Sequence, residues 1–543
     1  AAMVALARQQ KMPMKTVLTL GRQDSALTDD WCAHLKRTYD APVEGLGYDK
    51  EPHGETFFQR LGAERVESLD MSSYQHCSIC RDLNEPPPDE QVEGYDLVYD
   101  GGTLEHVFHF PNAIANCMSL VKVGGHFMAS LPANQWLGHG FYQFSPELFF
   151  RALSPENGFE IVRIFLADNP EGRGRLFRVI DPAESGVRTL LYSKEPMLVM
   201  VWARKIAAVI QHQRPDILLL NEFDFDAQAR AAELFQRRYL EVGQAGEQPI
   251  RYEYRYLAPV NTGVPSGMDL DRDGKVGGDG RGAGNDAFGY GLHPGQYGLL
   301  VLSRFPISTD QVRTFQNFLW KDLPNAALPA DPATGRSWYP ADVLAKFRLS
   351  SKSHWDVPID TPRGRIHFLV SHPTPPVFDG PEDRNGARNH DEIRFWNEYI
   401  SPGEKTWLCD DRGRCGGLGA DASFVIAGDL NNDPADGDGR HDAIVGLLEN
   451  PRVLRMATPR SEGAELAAKT VGGGNLAQKG SPAQDTGDFG PRIGNLRLDY
   501  VLPSIGLPVK ASGVFWPRPG ETGADWIDAS DHHMVWIDIA APE

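Results

Sequence analysis

Positive charge is what this chain is short of. Its 54 Lys and Arg stand against 73 Asp and Glu, a net charge of −19 over 543 residues. Tight, sequence-blind nucleic-acid binding needs clustered cations that release counterions, so that role is disfavoured. A nuclease whose metal ions bring the positive charge stays open. Long apolar runs are missing too: none approaches the roughly 18 residues that a membrane-spanning helix needs. Six cysteines are too few for a disulfide scaffold. Cys77 and Cys80 form a CxxC without a second pair and read as reduced thiols rather than zinc ligands. Cys409 and Cys415 flank the polar loop CDDRGRC and can close a small disulfide, which would give that half an exported origin. The opening AAMVALARQQKMPMK lacks a signal-peptide core, so the chain as written reads as cytoplasmic or truncated at its N-terminus. There is no internal repeat and no truly low-complexity tract.

What is present is an ordinary globular composition, 41% hydrophobic and 23% charged with a mean hydropathy of −0.38. The length predicts two domains. The expected order is a disordered leader (1–14), an α/β domain (15–203) and a second domain (204–543). In the first, short apolar runs such as TVLTL (16–20) and YDLVY (95–99) alternate with helical segments such as 110–121. That alternation predicts parallel strands with crossover helices.

The stretch YDLVYDGGTLEHVFHFPNAIANCMSLVKVGGHFMASLP is similar to the second half of class I S-adenosylmethionine-dependent methyltransferases. The resemblance implies a Rossmann-like domain over residues 15–203. It places Asp70 and Asp82 where the family often holds the ribose and adenine of its cofactor. Both equally suit loop caps. The family's Gly-rich first loop is reduced here to Gly21 in TLGRQD, which counts against the cofactor.

The second half is organised around FVIAGDLNNDP (424–434), a buried strand delivering Asp429 and Asn431 at its end. Other strands do the same: DILLL leads to Glu222, IHFLV to His372, LRLDYVL contains Asp499, and Asp531-His532-His533 precedes MVWIDI. Catalytic groups and metals tend to sit at such rigid strand ends. Asp269, Asp271 and Asp273 have the spacing that opens a calcium loop, but Gly280 stands where the closing Glu belongs. A looser structural Ca²⁺ site and a solvated loop both fit.

The pieces LLLNEFD, YGLLVLSRFPI, LVSHPTPP, VIAGDLNNDP, LRLDYVLPS and SDHHMVWIDI resemble, in order, the endonuclease/exonuclease/phosphatase (DNase I-like) superfamily. The resemblance implies a four-layer α/β sandwich and metal-dependent phosphoesterase chemistry with Mg²⁺ or Mn²⁺. Glu222 would hold the cation and Asp531 would be a second ligand. His532, oriented by Asp499, would face the phosphorus. Asp429 would orient or deprotonate water, Asn431 would hold a phosphate oxygen, and His372 would serve a phosphoryl oxygen or the leaving group. His533 reads as pointing to the other face of its strand, and His367, His390 and His441 as surface or hydrogen-bonded histidines. A small or lipid-like phosphate ester is preferred over duplex DNA; nothing fixes an oligomeric state.

One departure stands out. The family opens with a strand bearing an aromatic-Asn pair, whereas residues 170–220 contain no Asn and MLVMVWARK offers Trp202-Ala203. Either this strand serves both domains without its ligand, or the second domain has lost its first strand. The first reading predicts a gain in metal affinity or activity from Ala203→Asn.

Overall fold

The strands of the N-terminal half are β1 (Thr16–Leu20), β2 (Arg65–Asp70), β3 (Ile79–Cys80), β4 (Tyr95–Asp100), β5 (Val121–Pro132), β6 (Phe159–Asp168), β7 (Leu176–Val179) and β8 (Met197–Lys205), and interior ones such as β1 and β8 are apolar on both faces. This computed structural model describes residues 2–540 except 10–11, 13, 24–26, 44–45, 47–52, 89–90, 93, 155–156, 169–174, 183–192, 206–207, 242, 244–246, 279, 525 and 528–529. The chain divides into one unit of residues 1–208 with 243–248 and a second of 209–242 with 249–543.

The first unit is one eight-stranded sheet in the order β3-β2-β1-β4-β5-β8-β6-β7. Strands β3 to β5 run parallel, whereas β8, β6 and β7 pair antiparallel. Alternation along each strand feeds two cores. Leu18, Leu20 and Val201 face one, with helices Phe110–Leu120 and Pro146–Ala152; Val17, Met128 and Trp202 face the other. Within the expected leader, Ala2–Gln9 is helical, and Met3, Val4, Ala5 and Ala7 bury in the second core. Ala203 of β8 pairs with Phe127 on one side and Ile161 on the other. A strand with both edges paired has no hydrogen bonds left for another sheet. This overturns the reading in which β8 serves both domains.

The second unit has β9 (Ile217–Asn221), β10 (Tyr254–Tyr256) and β11 (Leu299–Ser303) in an antiparallel sheet ordered β10-β11-β9. Next come β12 (Arg313–Thr314), β13 (His354–Thr361), β14 (Gly364–Ser371), β15 (Ser423–Asp429), the ribbon β16 (Gly487–Asp488) with β17 (Asn495–Leu496), β18 (Asp499–Pro503), and the pair β19 (Val509–Val514) with β20 (Val535–Ile539). The larger sheet is ordered β12-β13-β14-β15-β18, with β14 and β15 parallel. Its inward residues Val357, Phe368 and Val425 meet Leu299 and Val301 of the smaller sheet. Helices Arg384–Ile400 and His441–Leu448 cover its other face through Trp396, Ile444 and Ile426. Helices Ala208–Gln213 and Arg230–Phe235 cover the smaller sheet through Ile210, Ala232 and Leu300. The result is the expected four-layer sandwich.

Candidate active site

Asp429 ends β15 and Asp499 begins β18, directly opposite each other in the antiparallel register. Facing pairs project on the same side of a sheet, so two strand ends far apart in sequence put two carboxylates together. His372 follows β14, which lies on the other side of β15. Its Nε2 is 3.3 Å from Asp429 Oδ2, with the imidazole almost wholly buried. Gly428 makes this approach feasible, because a Cβ there would collide with the Ser371 carbonyl. His532 arrives from the segment before β20. Its Nδ1 lies 2.8 Å from Asp499 Oδ2 and its Nε2 3.8 Å from Asp429 Oδ2. Thr486 donates its hydroxyl to the same Asp499 oxygen at 2.8 Å, so the carboxylate that orients His532 is itself held.

The electrostatics follow from this packing. Burial works against the charge on His532, yet Asp499 and Asp429 raise its pKa to about 11. Burial works against ionising Asp429 too, but His532 and His372 win and hold its carboxyl below the usual range. Asp499 is pushed up, first by burial. The cluster therefore carries an imidazolium between two carboxylates of unequal acidity.

Glu222 and Asp531 are exposed carboxylates that line, with His372, Asp429, Asp499 and His532, one cavity of about 770 Å³. Glu222 sits just past β9 in the left-handed region (φ 59°), as does Asn431 past β15 (φ 51°). Such conformations cost a non-glycine residue on the order of 1 kcal/mol and gather at working sites. Asn431 does not line the cavity; its amide donates to the Pro373 carbonyl and its N–H to Asp429 Oδ1. Asn221, before Glu222, keeps a buried Oδ1 without a hydrogen-bond partner. The cavity runs between β9 and β20, over a floor that includes Phe368, Val425 and Val501. Among the described residues, β9 pairs with β11 alone and β20 with β19 alone.

The sequence reading missed Lys352. It is buried, its pKa is lowered by burial, and Glu222, Glu392 and Asp429 act on it in the opposite sense. The polar run SSKS (350–353) before β13 is the available signal, and it reads as an ordinary loop.

Other candidates sort out by their partners. His533 packs at a tilt on Trp516, ring centroids 3.7 Å apart, and burial together with His532 pushes its pKa down to about 3, so it stays neutral. His367 pairs with Asp356, His390 with Asp391 and Asp442, and His441 with the Asp433 carbonyl. In the acidic loop the close set is Asp269, Asp271 and Asp286, not Asp273. Asp273 is exposed and accepts from the Lys275 N–H; Asp286 enters when the loop closes on itself. Asp70 and Asp82 both cap turns, accepting N–H bonds from Ser72 and Asn84. Cys409 and Cys415 are disulfide-bonded, whereas Cys77 and Cys80 are free thiols.

A face-to-face sandwich with carboxylates and imidazoles gathered at its strand ends defines a phosphoester hydrolase by class. The chain belongs to the endonuclease/exonuclease/phosphatase family, whose model matches residues 193–532. That match includes β8, which the structure assigns to the other unit's sheet. No curated protein matches the chain in sequence. Among solved structures it is similar to sphingomyelinase C from Streptomyces griseocarneus (17% identity, 60% of this chain, 86% of that one, TM-score 0.29). It is also similar to the beta toxin of Staphylococcus aureus (14%, 60% and 87%, TM-score 0.28). A putative methyltransferase from Bacillus halodurans is similar over 37% of this chain and 98% of its own (11%, TM-score 0.22).

Proposed function

We propose that the C-terminal unit hydrolyses small or lipid-like phosphate mono- or diesters with the help of Mg²⁺ or Mn²⁺. The observation that carries this reading is the cavity of about 770 Å³, polar at the His372–Asp429–Asp499–His532 end and apolar along its floor. A phosphoryl group suits the first part and a hydrocarbon portion the second. The donors fit a hard cation: Glu222, Asp531 and the unpartnered Asn221 oxygen all line this cavity. Glu222 and Asp531 would hold the ion, which when bound neutralises charge developing on the phosphoryl oxygens.

The chain's own groups do the rest. Asp429 orients the attacking water and takes its proton. His532, oriented by Asp499 through Nδ1, donates from Nε2 to a phosphoryl oxygen. His372 donates to a second oxygen or to the leaving group. Asn431 acts through Asp429 as a positioning residue. The net charge of −19 weighs against a duplex DNA substrate. The test is hydrolysis of p-nitrophenyl phosphate and bis-p-nitrophenyl phosphate beside plasmid nicking, with Mg²⁺ and with EDTA. Ester hydrolysis that EDTA abolishes supports the reading; nicking without ester hydrolysis replaces it with a nuclease.

Methyl transfer by the N-terminal unit is the second reading, favoured by its doubly wound sheet. Calorimetric titration with S-adenosylmethionine decides it, and absence of heat ends it. The Cys409–Cys415 bond suits an oxidising compartment.

A further inference from the structure

We infer that the N-terminal unit binds a divalent transition-metal ion on Glu105, His106 and His139. Glu105 Oε1 lies 3.4 Å from His139 Nε2 and 3.9 Å from His106 Nε2, and the three ligand atoms all fall within 4.8 Å of one another. An ion bound tetrahedrally at about 2.0–2.1 Å holds its ligand atoms roughly 3.4 Å apart. The Glu105–His139 separation already fits this spacing, and the half-exposed His106 imidazole has to move in to complete the site.

The burial pattern points the same way. The Glu105 side chain is 1% exposed while the two imidazoles are 51% and 48% exposed. Its Oε2 is buried with no hydrogen-bond partner, and among the described residues no Lys or Arg pairs with the carboxylate. A buried carboxylate left in that state is costly unless a cation joins it.

The local chain is built to present this set. Asp100 at the end of β4 accepts N–H bonds from Gly102, Thr103 and Leu104, folding the turn that carries Glu105 and His106. The Glu105 carbonyl accepts the Phe141 N–H at 2.7 Å, tying the loop that carries His139 to the same point. Gly140 permits the approach: its φ is 72°, and a Cβ there would sit 2.9 Å from Glu105. Thr103 donates to the Leu20 carbonyl, so the cluster lies at the carboxyl ends of β1 and β4. Strand order reverses between those two strands, which is where open α/β sheets take their ligands.

The donor set chooses the ion. Two imidazoles and one carboxylate suit Zn²⁺, Co²⁺, Fe²⁺ or Mn²⁺ better than Mg²⁺ or Ca²⁺. Three protein ligands leave a position open to water or to a substrate oxygen.

The experiment uses the full-length chain, stripped with EDTA and dialysed against Co²⁺. Bound ions are counted by emission spectroscopy and the visible d–d bands recorded. The His106→Ala/His139→Ala double variant should bind one equivalent fewer and lose the bands, while Glu222→Gln in the other unit keeps them. Both imidazoles are half exposed, so the fold should survive their loss; circular dichroism checks this. Should the double variant fail to fold, His139→Gln alone is judged by the same loss of bands. Equal stoichiometry and unchanged bands in the folded variant, or no d–d bands in the wild-type chain, would overturn the assignment.

Discussion

Strands β8 and β9 are neighbours in sequence and similarly apolar, yet they end in opposite situations. β8 is hydrogen-bonded on both edges and buried on both faces. β9 is bonded to β11, and a cavity that reaches β20 opens beside it. An apolar run says that a segment will be buried, not which sheet will bury it. The N-terminal sheet is filled on both sides of β8, while the C-terminal sandwich keeps an open slot next to its acid–imidazole cluster.

The difference can be broken most forcefully at the cluster. Replacing His532 by Ala, or Asp499 by Asn, should lower ester hydrolysis by about 10²- to 10⁴-fold. Steady-state kinetics measure the loss, and the thermal transition of the N-terminal unit should stay where it was. Next in size is an opposition in pH dependence. Burial depresses the His354 pKa from 6.5 to about 4. Unfolded, this histidine takes a proton that the fold refuses, so its contribution to the C-terminal unit is complete above pH 6.5 and lost as pH falls towards 4. The loss should reach about 3 kcal/mol. In the N-terminal unit Asp100 is raised to about 7 by burial and then by Glu105, so its contribution has the other sign. It is complete below the unfolded carboxyl pKa of 3.8 and lost as pH rises through 7. Calorimetric scans between pH 4 and 7 should show a shallower acid loss for the C-terminal unit of His354→Phe, and a shallower loss with rising pH for the N-terminal unit of Asp100→Asn, than in the wild-type chain. The smallest effect is expected from Ala203→Asn. Ala203 is wholly buried in the sheet of β8, so the amide should cost about 2 kcal/mol there and leave hydrolysis and its Mg²⁺ dependence unchanged.

Much of this architecture was legible because its signals are local. TVLTL is β1 to the residue, and the strand leading to His372 and the one ending at Asp429 are apolar runs closed by polar groups. What escaped depends on loops closing over long separations. Asp286 replaces Asp273 because the chain doubles back to bring it beside Asp269 and Asp271. His139 reaches Glu105 only after a helix and a strand intervene. Lys352 hid in a polar run, since sequence does not distinguish a lysine that faces solvent from one enclosed by Glu222, Glu392 and Asp429. Helix Ala2–Gln9 was read as a loose leader, because its stability comes from tertiary burial rather than from length.

In the proposed function, one cleft of the C-terminal unit works on phosphate esters around a cation. The most direct measurement is bis-p-nitrophenyl phosphate hydrolysis as a function of Mg²⁺, for the wild-type chain and for Glu222→Gln. Turnover should vanish in EDTA, saturate with Mg²⁺ in the wild type, and need at least about tenfold higher Mg²⁺ in the variant. Turnover that persists in EDTA, or the same Mg²⁺ curve for both proteins, would contradict the proposed function.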